Sequence, residues 1–373
     1  MTAIRELLPQ ILEWQPGEQA AVLPQLPARP GVWMLLAPGE LPVLAGTSQN
    51  TRASVTGRLA GPDPAQRSKK TDLSTTVTSC RYVVTYGRFE SDWLYGKLVH
   101  AVWPGDFWER VGFAPMWMLK ASAVPAGADG ATRIMRLEPT TWWPGEGDAI
   151  ALGPLATRSD AQDLADILTD LFDLCRYWQI LARAPHGTPC AYHEMGRSPA
   201  PCAGLIPMEQ YNQTVRKAMA LAGRDRAKVV REKGSEMRLA AARLQFEQAA
   251  RLKSWLQRTD ALNEPRFQYL ADVQQFVGLA VSRFRTQARP FFFWAGAIEA
   301  GDAVKLSKVQ EHVATWRQRL EAGPGVLVDE GTRQWQCGLV TTHLFRPERK
   351  DLGWFTLDED IQGWLEGIES LRS

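Results

Sequence analysis

The sequence predicts a mixed α/β protein with an α/β N-terminal region, a mostly helical central region and an α/β C-terminal region. Short apolar runs alternate with helical stretches over the first 105 residues, and helical periodicity then runs from 208 to 263. A buried apolar run returns near residue 290. A chain of 373 residues has room for two or three domains. We divide it into segments 1–107, 108–207, 208–263 and 264–373.

The N-terminal region has the order strand, strand, helix, strand, helix. Apolar and β-branched runs predict strands, and the stretches between them predict helices. We expect strands over 31–36, 41–45 and 76–86, and helices over 49–59 and 89–103. Ser48 is the expected cap of the first helix, because a serine hydroxyl accepts a bond from a free amide of the first turn.

The second segment, 108–207, is rich in tryptophan and proline and lacks a regular pattern, apart from an amphipathic helix near 159–177. From 208 to 263 the pattern is helical, with a break expected at Gly223 and a weak point at Gly234.

Pro265 ends the helical pattern before the last segment, because proline cannot continue the hydrogen-bond ladder of a helix. We expect a helix over 267–285, a buried strand over 290–297, a second helix over 305–321 and strands near the C terminus.

Composition excludes several classes of protein. The longest apolar run, 291–298, has eight residues, far short of the roughly 20 that a membrane helix needs. The N terminus lacks a basic start followed by an apolar stretch, which argues against a secretory signal. Five cysteines, thinly spread, make a poor disulfide framework. We therefore expect a cytoplasmic protein without membrane partners.

The charge is unevenly distributed. The whole chain carries +2, but residues 216–258 hold twelve Lys or Arg against four acids, so this block carries +8 and the rest −6. A basic block in a slightly acidic protein is typical of a surface that binds a polyanion. A solvated helix face is the alternative.

Three stretches resemble the UvrC/Cho-like excinuclease family, in the family's order. The first resembles its GIY-YIG nuclease module and comprises PGVW at 30–33, VLAG at 43–46 and QNTR at 49–52. The second resembles its cysteine-rich region and comprises LGP at 152–154, PC at 189–190 and GRSPAPCAGL at 196–205. The third, ARLQFEQAARLK at 242–253, resembles the UVR motif, a helical hairpin.

The catalytic positions of the nuclease module are substituted. The resemblance implies two tyrosines, a lysine, an arginine and a metal-binding glutamate, and in that order this chain has Trp33, Leu44, Thr47, Ser54 and Tyr95. Phosphodiester hydrolysis needs a metal and a group that positions water, and indole and leucine supply neither. We expect a degenerate module without nuclease activity.

Two replacements for the lost groups remain open. Arg52 lies two residues from the arginine position, and Glu90 or Asp92 offers a carboxylate at the start of the next helix. The structural alternatives are a phosphate-binding or solvated arginine and acids favoured by the helix dipole. Mg²⁺ or Mn²⁺ is expected only if these groups rebuild an active site.

DNA is one expected partner. Positive and polar side chains near the first helix are candidates for phosphate contact, namely Asn50, Arg52, Arg58, Lys69 and Lys70.

The cysteine region is incomplete. The resemblance implies an iron–sulfur cluster held by four thiolates, but only Cys190 and Cys202 stand in register. Ser198 takes the position between them, and Cys175 is displaced by about three residues from the upstream position. Two thiolates in register cannot close a four-thiolate site, and a site with three would need Cys175 to move in and an outside ligand. We expect no cofactor and a colourless protein; a zinc site that uses the flanking histidines is the alternative.

The UVR resemblance implies a protein partner that resembles UvrB. Phe246 offers a projecting aromatic ring, Ala250 permits close helix approach, and Glu247 and Arg251 frame them with charge. Internal packing of the same helix is the alternative.

Together these features predict a DNA-repair protein that binds DNA and a partner without cutting. An active metal-dependent endonuclease with rearranged residues is the second hypothesis, and a protein–protein adaptor without DNA contact is the third.

Overall fold

The computed structural model describes residues 2–15, 17–60, 72–126, 130, 132–144, 149–223, 226–346 and 351–371. The chain folds into two compact units. The first unit comprises Met1–Ala114, Val277–Val328 and Gly338–Ser373, and the second comprises Pro115–Phe276 and Asp329–Cys337.

The N-terminal part of the first unit is a small sheet with helices on both faces. Its elements are α1 (Thr2–Leu7), β1 (Gln10–Glu13), α2 (Gln19–Val22), β2 (Gly31–Ala37), β3 (Leu41–Ser48), α3 (Thr51–Leu59), β4 (Ser79–Val84), α4 (Arg88–Val102) and α5 (Phe107–Arg110).

The four strands of this sheet are antiparallel and lie in the order β1-β4-β2-β3. Successive side chains of a strand point to opposite faces. Trp33 and Leu35 therefore join the core cluster that contains Val55 of α3, whereas Val32 and Met34 join the cluster that contains Leu98 of α4. The sheet lies between α3 and α4, and its central strand β2 is buried on both faces.

The predicted strands and helices of this part are confirmed, with corrections at their ends. The strand expected over 76–86 is shorter and matches β4. The prediction that Ser48 caps α3 is wrong, because Ser48 still pairs with Gly31 as the last residue of β3. Asn50 is the cap instead, and its side-chain oxygen accepts a bond of 3.0 Å from the Ala53 amide.

The second unit combines another antiparallel sheet with most of the helices. Its elements up to residue 276 are β5 (Trp117–Ala126), β6 (Thr132–Thr140), β7 (Ile150–Leu155), α6 (Arg158–Leu171), α7 (Trp178–Leu181), α8 (Ala191–Glu194), α9 (Met208–Ala222), α10 (Arg226–Ala242), α11 (Phe246–Thr259) and β8 (Ala271–Asp272).

The sheet of this unit was not predicted. Its order is β6-β5-β7-β8. Prolines within β5 and β6 obscure the strand pattern, because proline normally interrupts a ladder. Pro139 is tolerated since β6 is an edge strand, and Pro125 lies beyond residues 117–121, the part of β5 that pairs with β7.

The helical region follows the sequence closely. The break at Gly223 is confirmed, but Gly234 lies inside α10 without interrupting it. A second break separates α10 from α11 at residues 243–245, where Leu244 adopts φ 58°. The helix expected over 159–177 is α6, which ends at Leu171.

The C-terminal part of the first unit is a third antiparallel sheet with helices. Its elements, with one helix that begins in the second unit, are β9 (Val277–Phe284), β10 (Gln287–Trp294), β11 (Ala297–Ala300), β12 (Val304–Lys305), α12 (Val309–Glu321), α13 (Glu330–Leu344), β13 (Leu352–Phe355) and α14 (Ile361–Ser370).

Two predictions for this part are confirmed and two are wrong. The strand expected over 290–297 corresponds to β10, and the helix expected over 305–321 corresponds to α12. The helix expected over 267–285 is replaced by β9, a strand between β10 and β13 whose apolar run is buried on both faces. Such a run looks the same in a buried helix and in a buried strand. The expected terminal strands are mostly helical, since β13 is the one strand among the described residues after α12.

Candidate functional site

Trp33 stands where the resemblance implies the first tyrosine, and it is part of the apolar core. Trp33 is 2% exposed and packs in the α3-side cluster with Val55, and Leu44 borders the same cluster. A side chain on Gly46 would lie 2.8 Å from the Trp33 ring, so this glycine leaves room for the indole to lie across β3. The α3 face of the sheet is therefore packed with apolar side chains around Trp33.

The other substituted positions do not converge on Trp33. Thr47 pairs with Val32, whose side chain points to the α4 face, and Tyr95 of α4 borders the cluster on that same face. Burial raises the pKa of Tyr95. Ser54 is half-buried in α3. The five positions are thus divided between the two faces of the sheet.

The candidate phosphate contacts near α3 differ in their availability. Asn50 is exposed, but its side-chain oxygen is used to cap α3. Arg52 donates from Nε to the Leu26 carbonyl at 2.7 Å, which ties its guanidinium to the loop before β2. Arg58 is exposed in the last turn of α3. Lys69 and Lys70 lie outside the described residues.

The two acids at the start of α4 are held by partners from distant parts of the chain. Glu90 is 2% exposed, forms an ion pair with Arg289 of β10 and accepts a bond of 2.7 Å from the Tyr86 amide. Burial raises the pKa of Glu90, and Arg289 acts in the opposite direction. Asp92 lies 3.0 Å from Nε2 of the buried His343. Both carboxylates have protein partners where they stand.

A cleft of about 190 Å³ opens between the end of β3 and the first turn of α4. Its lining consists of polar side chains, namely Thr47, Ser48, Gln49, Arg88 and Ser91. The Ser91 hydroxyl bonds to Thr85 at 2.7 Å, and Arg88 Nε lies 3.5 Å from Asp92. The Ser48 hydroxyl is buried and has no hydrogen-bond partner among the described residues.

Three of the cysteines lie close together in the second unit. Cys175 Sγ lies 3.6 Å from the Ser198 hydroxyl. Burial raises the pKa of Cys175 to about 11, and the nearby thiols of Cys202 and Cys190 act in the same direction. His193 Nδ1 lies 2.9 Å from the Ser198 carbonyl. The displaced Cys175 is therefore a neighbour of the two cysteines in register.

This set does not fit a cluster bound by four thiolates. It supplies three thiols and one hydroxyl where four thiolates are needed. Over the residues that the structure describes, no group of three or more His, Cys, Asp or Glu side chains has the geometry to hold a single metal ion.

The helices α10 and α11 form an antiparallel hairpin whose turn is exposed. Leu239, Leu244 and Phe246 are 57%, 72% and 66% exposed. The opposite end of the hairpin is anchored in the unit, where Trp255 Nε1 donates to the Leu171 carbonyl at 3.0 Å and Val229 packs on the core.

All four residues proposed for partner contact lie on the surface of α11. Phe246 and Ala250 are one helical turn apart, as are Glu247 and Arg251, and all four are exposed. The basic residues of the hairpin are exposed as well, except Arg226 and Lys233, which are half-buried. The Arg226 guanidinium donates to the Leu262 and Ala222 carbonyls, and Lys233 pairs with Glu236.

Three residues that organise α4 were not found from the sequence. Asp92 is contacted by Arg88 and by His343, and Glu90 is contacted by Arg289. Arg88 carried a weak signal, because it follows Gly87 at a helix start; the other two lie too far along the chain for any local pattern to reveal them.

No helix among the described residues is long and apolar enough to cross a membrane.

These features define a mixed α/β protein with a polar cleft, a cysteine cluster and an exposed basic hairpin. Residues 138–221 match the model of the UvrC/Cho excinuclease middle domain. No solved structure matches the chain at a significant level.

Curated relatives named UvrABC system protein C match over various lengths. The relative from Syntrophomonas wolfei is 34% identical over 121 residues, which are 32% of this chain and 19% of the relative. The relative from Alkalilimnicola ehrlichii is 26% identical over 256 residues, 68% of this chain and 39% of the relative. The relative from Stenotrophomonas maltophilia is 40% identical over 101 residues, 27% of this chain and 16% of the relative.

The resemblance to the UvrC/Cho-like excinuclease family is thereby confirmed, with the middle region as its centre. The chain matches less than two fifths of the length of each of these three relatives.

Proposed function

We propose that this chain is a nucleotide-excision-repair protein that acts by binding DNA and a protein partner, and not by cutting DNA. The proposal takes its biological setting from the relatives named UvrABC system protein C. The observation that carries it is the apolar packing at Trp33 and Leu44, on a face where a nuclease would place groups that transfer protons.

In this proposal, the N-terminal sheet is a degenerate GIY-YIG-like module. Its support is the antiparallel pairing of β2 with β3, followed by the capped helix α3. The motifs PGVW, VLAG and QNTR lie at these three elements in that order. The replacement residues Glu90 and Asp92 are committed to Arg289 and His343, which argues against a rebuilt metal site.

The test is incubation of the purified protein with labelled duplex, bubble and splayed-arm DNA, with Mg²⁺ or Mn²⁺ and then with excess chelator. We expect a mobility shift without cleavage. Nicking that the chelator abolishes would overturn the proposal and support the endonuclease hypothesis. Absence of any shift would leave the adaptor hypothesis.

The hairpin of α10 and α11 is the proposed UVR-type contact to a UvrB-like protein. Its support is the exposure of three apolar side chains at a turn framed by charges. Large exposed apolar groups that cluster in this way typically mark a protein interface.

The test is co-purification with a UvrB-like protein. Phe246→Ala should weaken the association at least tenfold, because truncating a central aromatic of an interface typically removes about 2 kcal/mol. Met195→Ala is the matched control, since Met195 is equally exposed at 66% outside the hairpin. Equal loss in both variants, or loss in neither, would count against this contact.

We propose that the protein binds no iron–sulfur cluster, because the cysteine set provides a hydroxyl at the Ser198 position. The purified protein should be colourless, with no absorbance band near 400 nm and no stoichiometric iron. A brown preparation with iron in stoichiometric amount would show that three thiols and an additional ligand suffice.

A further inference from the structure

We propose that the cleft between β3 and α4 binds a backbone phosphate of a nucleic acid, with Arg88 as the principal contact. The inference rests on the DNA binding proposed above and names the side chains that hold one phosphate. Its principal contact, Arg88, is a residue that the sequence motifs did not single out.

The lining of the cleft has the chemistry of a phosphate site. Phosphate oxygens in protein–DNA complexes are contacted by arginine, by serine, threonine and glutamine side chains, and by the amides of helix N-termini. The cleft combines Arg88, Gln49 and the hydroxyls of Thr47 and Ser48 with the first turn of α4. Its volume of about 190 Å³ exceeds that of a phosphate group and leaves room for water.

The position of Arg88 is fixed by a chain of contacts. Asp92 lies one helical turn beyond Arg88, 3.5 Å from its Nε, and is itself 3.0 Å from the buried His343. An arginine held through Nε still presents its two terminal nitrogens to a ligand. The side chain is 53% exposed, so these nitrogens are accessible to a phosphate in solution.

The Ser48 hydroxyl gives an independent indication of a ligand. This oxygen is almost inaccessible and has no hydrogen-bond partner among the described residues, whereas Ser48 as a whole is half-buried and lines the cleft. A buried hydroxyl without a partner is energetically unfavourable, so such groups are generally satisfied by a ligand or by ordered water. A phosphate oxygen in the cleft would supply the missing acceptor.

The charges nearby leave the cleft favourable for an anion. Asp92 is the acid that borders Arg88, and its carboxylate also lies 3.0 Å from Nε2 of His343. Glu90, in the same turn, is directed to Arg289 and is almost fully buried. The positive end of the α4 dipole faces the first turn, where Arg88 lies.

The experiment measures fluorescence anisotropy of a labelled splayed-arm DNA with the full chain. Arg88→Ala should weaken binding about tenfold and reduce the salt dependence by one phosphate contact. Arg110→Ala is the matched control, because Arg110 also pairs with an aspartate one turn away, at 3.2 Å from Asp106. This control should bind as the wild type does.

A second variant separates the cleft from general charge effects. Thr47→Val removes a hydroxyl without changing shape or charge and should weaken binding about threefold, with the fold checked by circular dichroism. Equal DNA affinity of the wild type, Arg88→Ala and Thr47→Val would overturn the inference and leave the proposed function intact.

Calorimetric titration with pyrophosphate distinguishes the two possible sources of the phosphate. If the wild type binds no DNA but binds pyrophosphate in a manner that Arg88→Ala abolishes, the proposed function fails and the cleft is a site for a free phosphate ester. If neither ligand binds the wild type, both the proposed function and this inference fail.

Discussion

Glu90 links two parts of the first unit that lie far apart in the sequence. Its carboxylate is almost completely buried and pairs with Arg289, 199 positions further along the chain. A buried ion pair contributes little relative to apolar packing, but the loss of one partner leaves an uncompensated charge. The stability of the first unit should therefore depend on Glu90 even though no catalytic role is assigned to it.

Replacing Glu90 with Gln should lower the free energy of unfolding by about 3 kcal/mol, because the Arg289 guanidinium, only 26% exposed, would lose its counter-charge. Urea unfolding measures the change. Glu109→Gln is the control, since Glu109 is exposed, and it should shift stability by less than about 0.5 kcal/mol. A loss below about 1 kcal/mol at Glu90 would mean that burial keeps the carboxyl protonated in the native protein.

The sequence predicted which side chains of α11 are exposed, but it did not predict the contact made by Arg52 of α3. Phe246, Glu247, Ala250 and Arg251 are all exposed on α11, because a helix of known phase places residues four apart on one side. Arg52 was a less tractable case. Its guanidinium donates to the Leu26 carbonyl, and no local pattern records a contact across 26 positions.

The turn between α10 and α11 contains a conformation that leucine rarely adopts. The Leu244 amide donates to the Ala241 carbonyl at 3.0 Å, and the Gln245 amide donates to the Ala240 carbonyl at 2.9 Å. These are the two bonds of a Schellman motif, in which the left-handed position is usually glycine. Leu244 occupies that position with φ 58° and is 72% exposed.

Replacing Leu244 with Gly should raise the free energy of unfolding by about 1 kcal/mol, because the left-handed conformation costs roughly 1–2 kcal/mol for a residue with a Cβ atom. Chemical denaturation measures the gain. Ala242→Gly, at the last residue of α10, is the opposite control and should lose about 0.5–1 kcal/mol. If Leu244→Gly is destabilising, then the leucine side chain makes a contribution that its exposure does not reveal.

Elements with one exposed face were predictable, and elements buried on both faces were not. The amphipathic helices α6, α9 and α11 follow the helical period, and each lies where the sequence indicates. β9 does not, because its apolar run is buried between β10 and β13 and carries no alternation. The sheet of β5, β6 and β7 was missed for a different reason, since prolines interrupt its strand pattern. Pro139 lies in the edge strand β6, and Pro125 lies outside the part of β5 that pairs with β7, which only the three-dimensional pairing reveals.

The molecule as a whole is nearly neutral, but its basic charge is concentrated. Residues 216–258 carry +8 within a total of +2, and half of the twelve basic residues of this block are exposed on α10 and α11. Binding to nucleic acid releases counterions in proportion to the phosphates neutralised, so affinity should fall linearly with salt on logarithmic axes.

Removal of one exposed basic side chain of α10 should reduce the salt dependence of DNA affinity. For duplex DNA the slope changes by about 0.9 for each phosphate contact, so Arg231→Ala on the exposed face of α10 should make the slope less steep by about that amount. Anisotropy titrations from about 50 to 200 mM salt measure it. Lys308→Ala, an exposed lysine outside the basic block, should leave the slope unchanged.

A wild-type affinity that does not respond to salt would exclude phosphate contacts altogether. Equal slopes for the wild type and Arg231→Ala, together with a reduced slope for Arg88→Ala, would assign the electrostatic contact to the first unit and leave the hairpin to its protein partner.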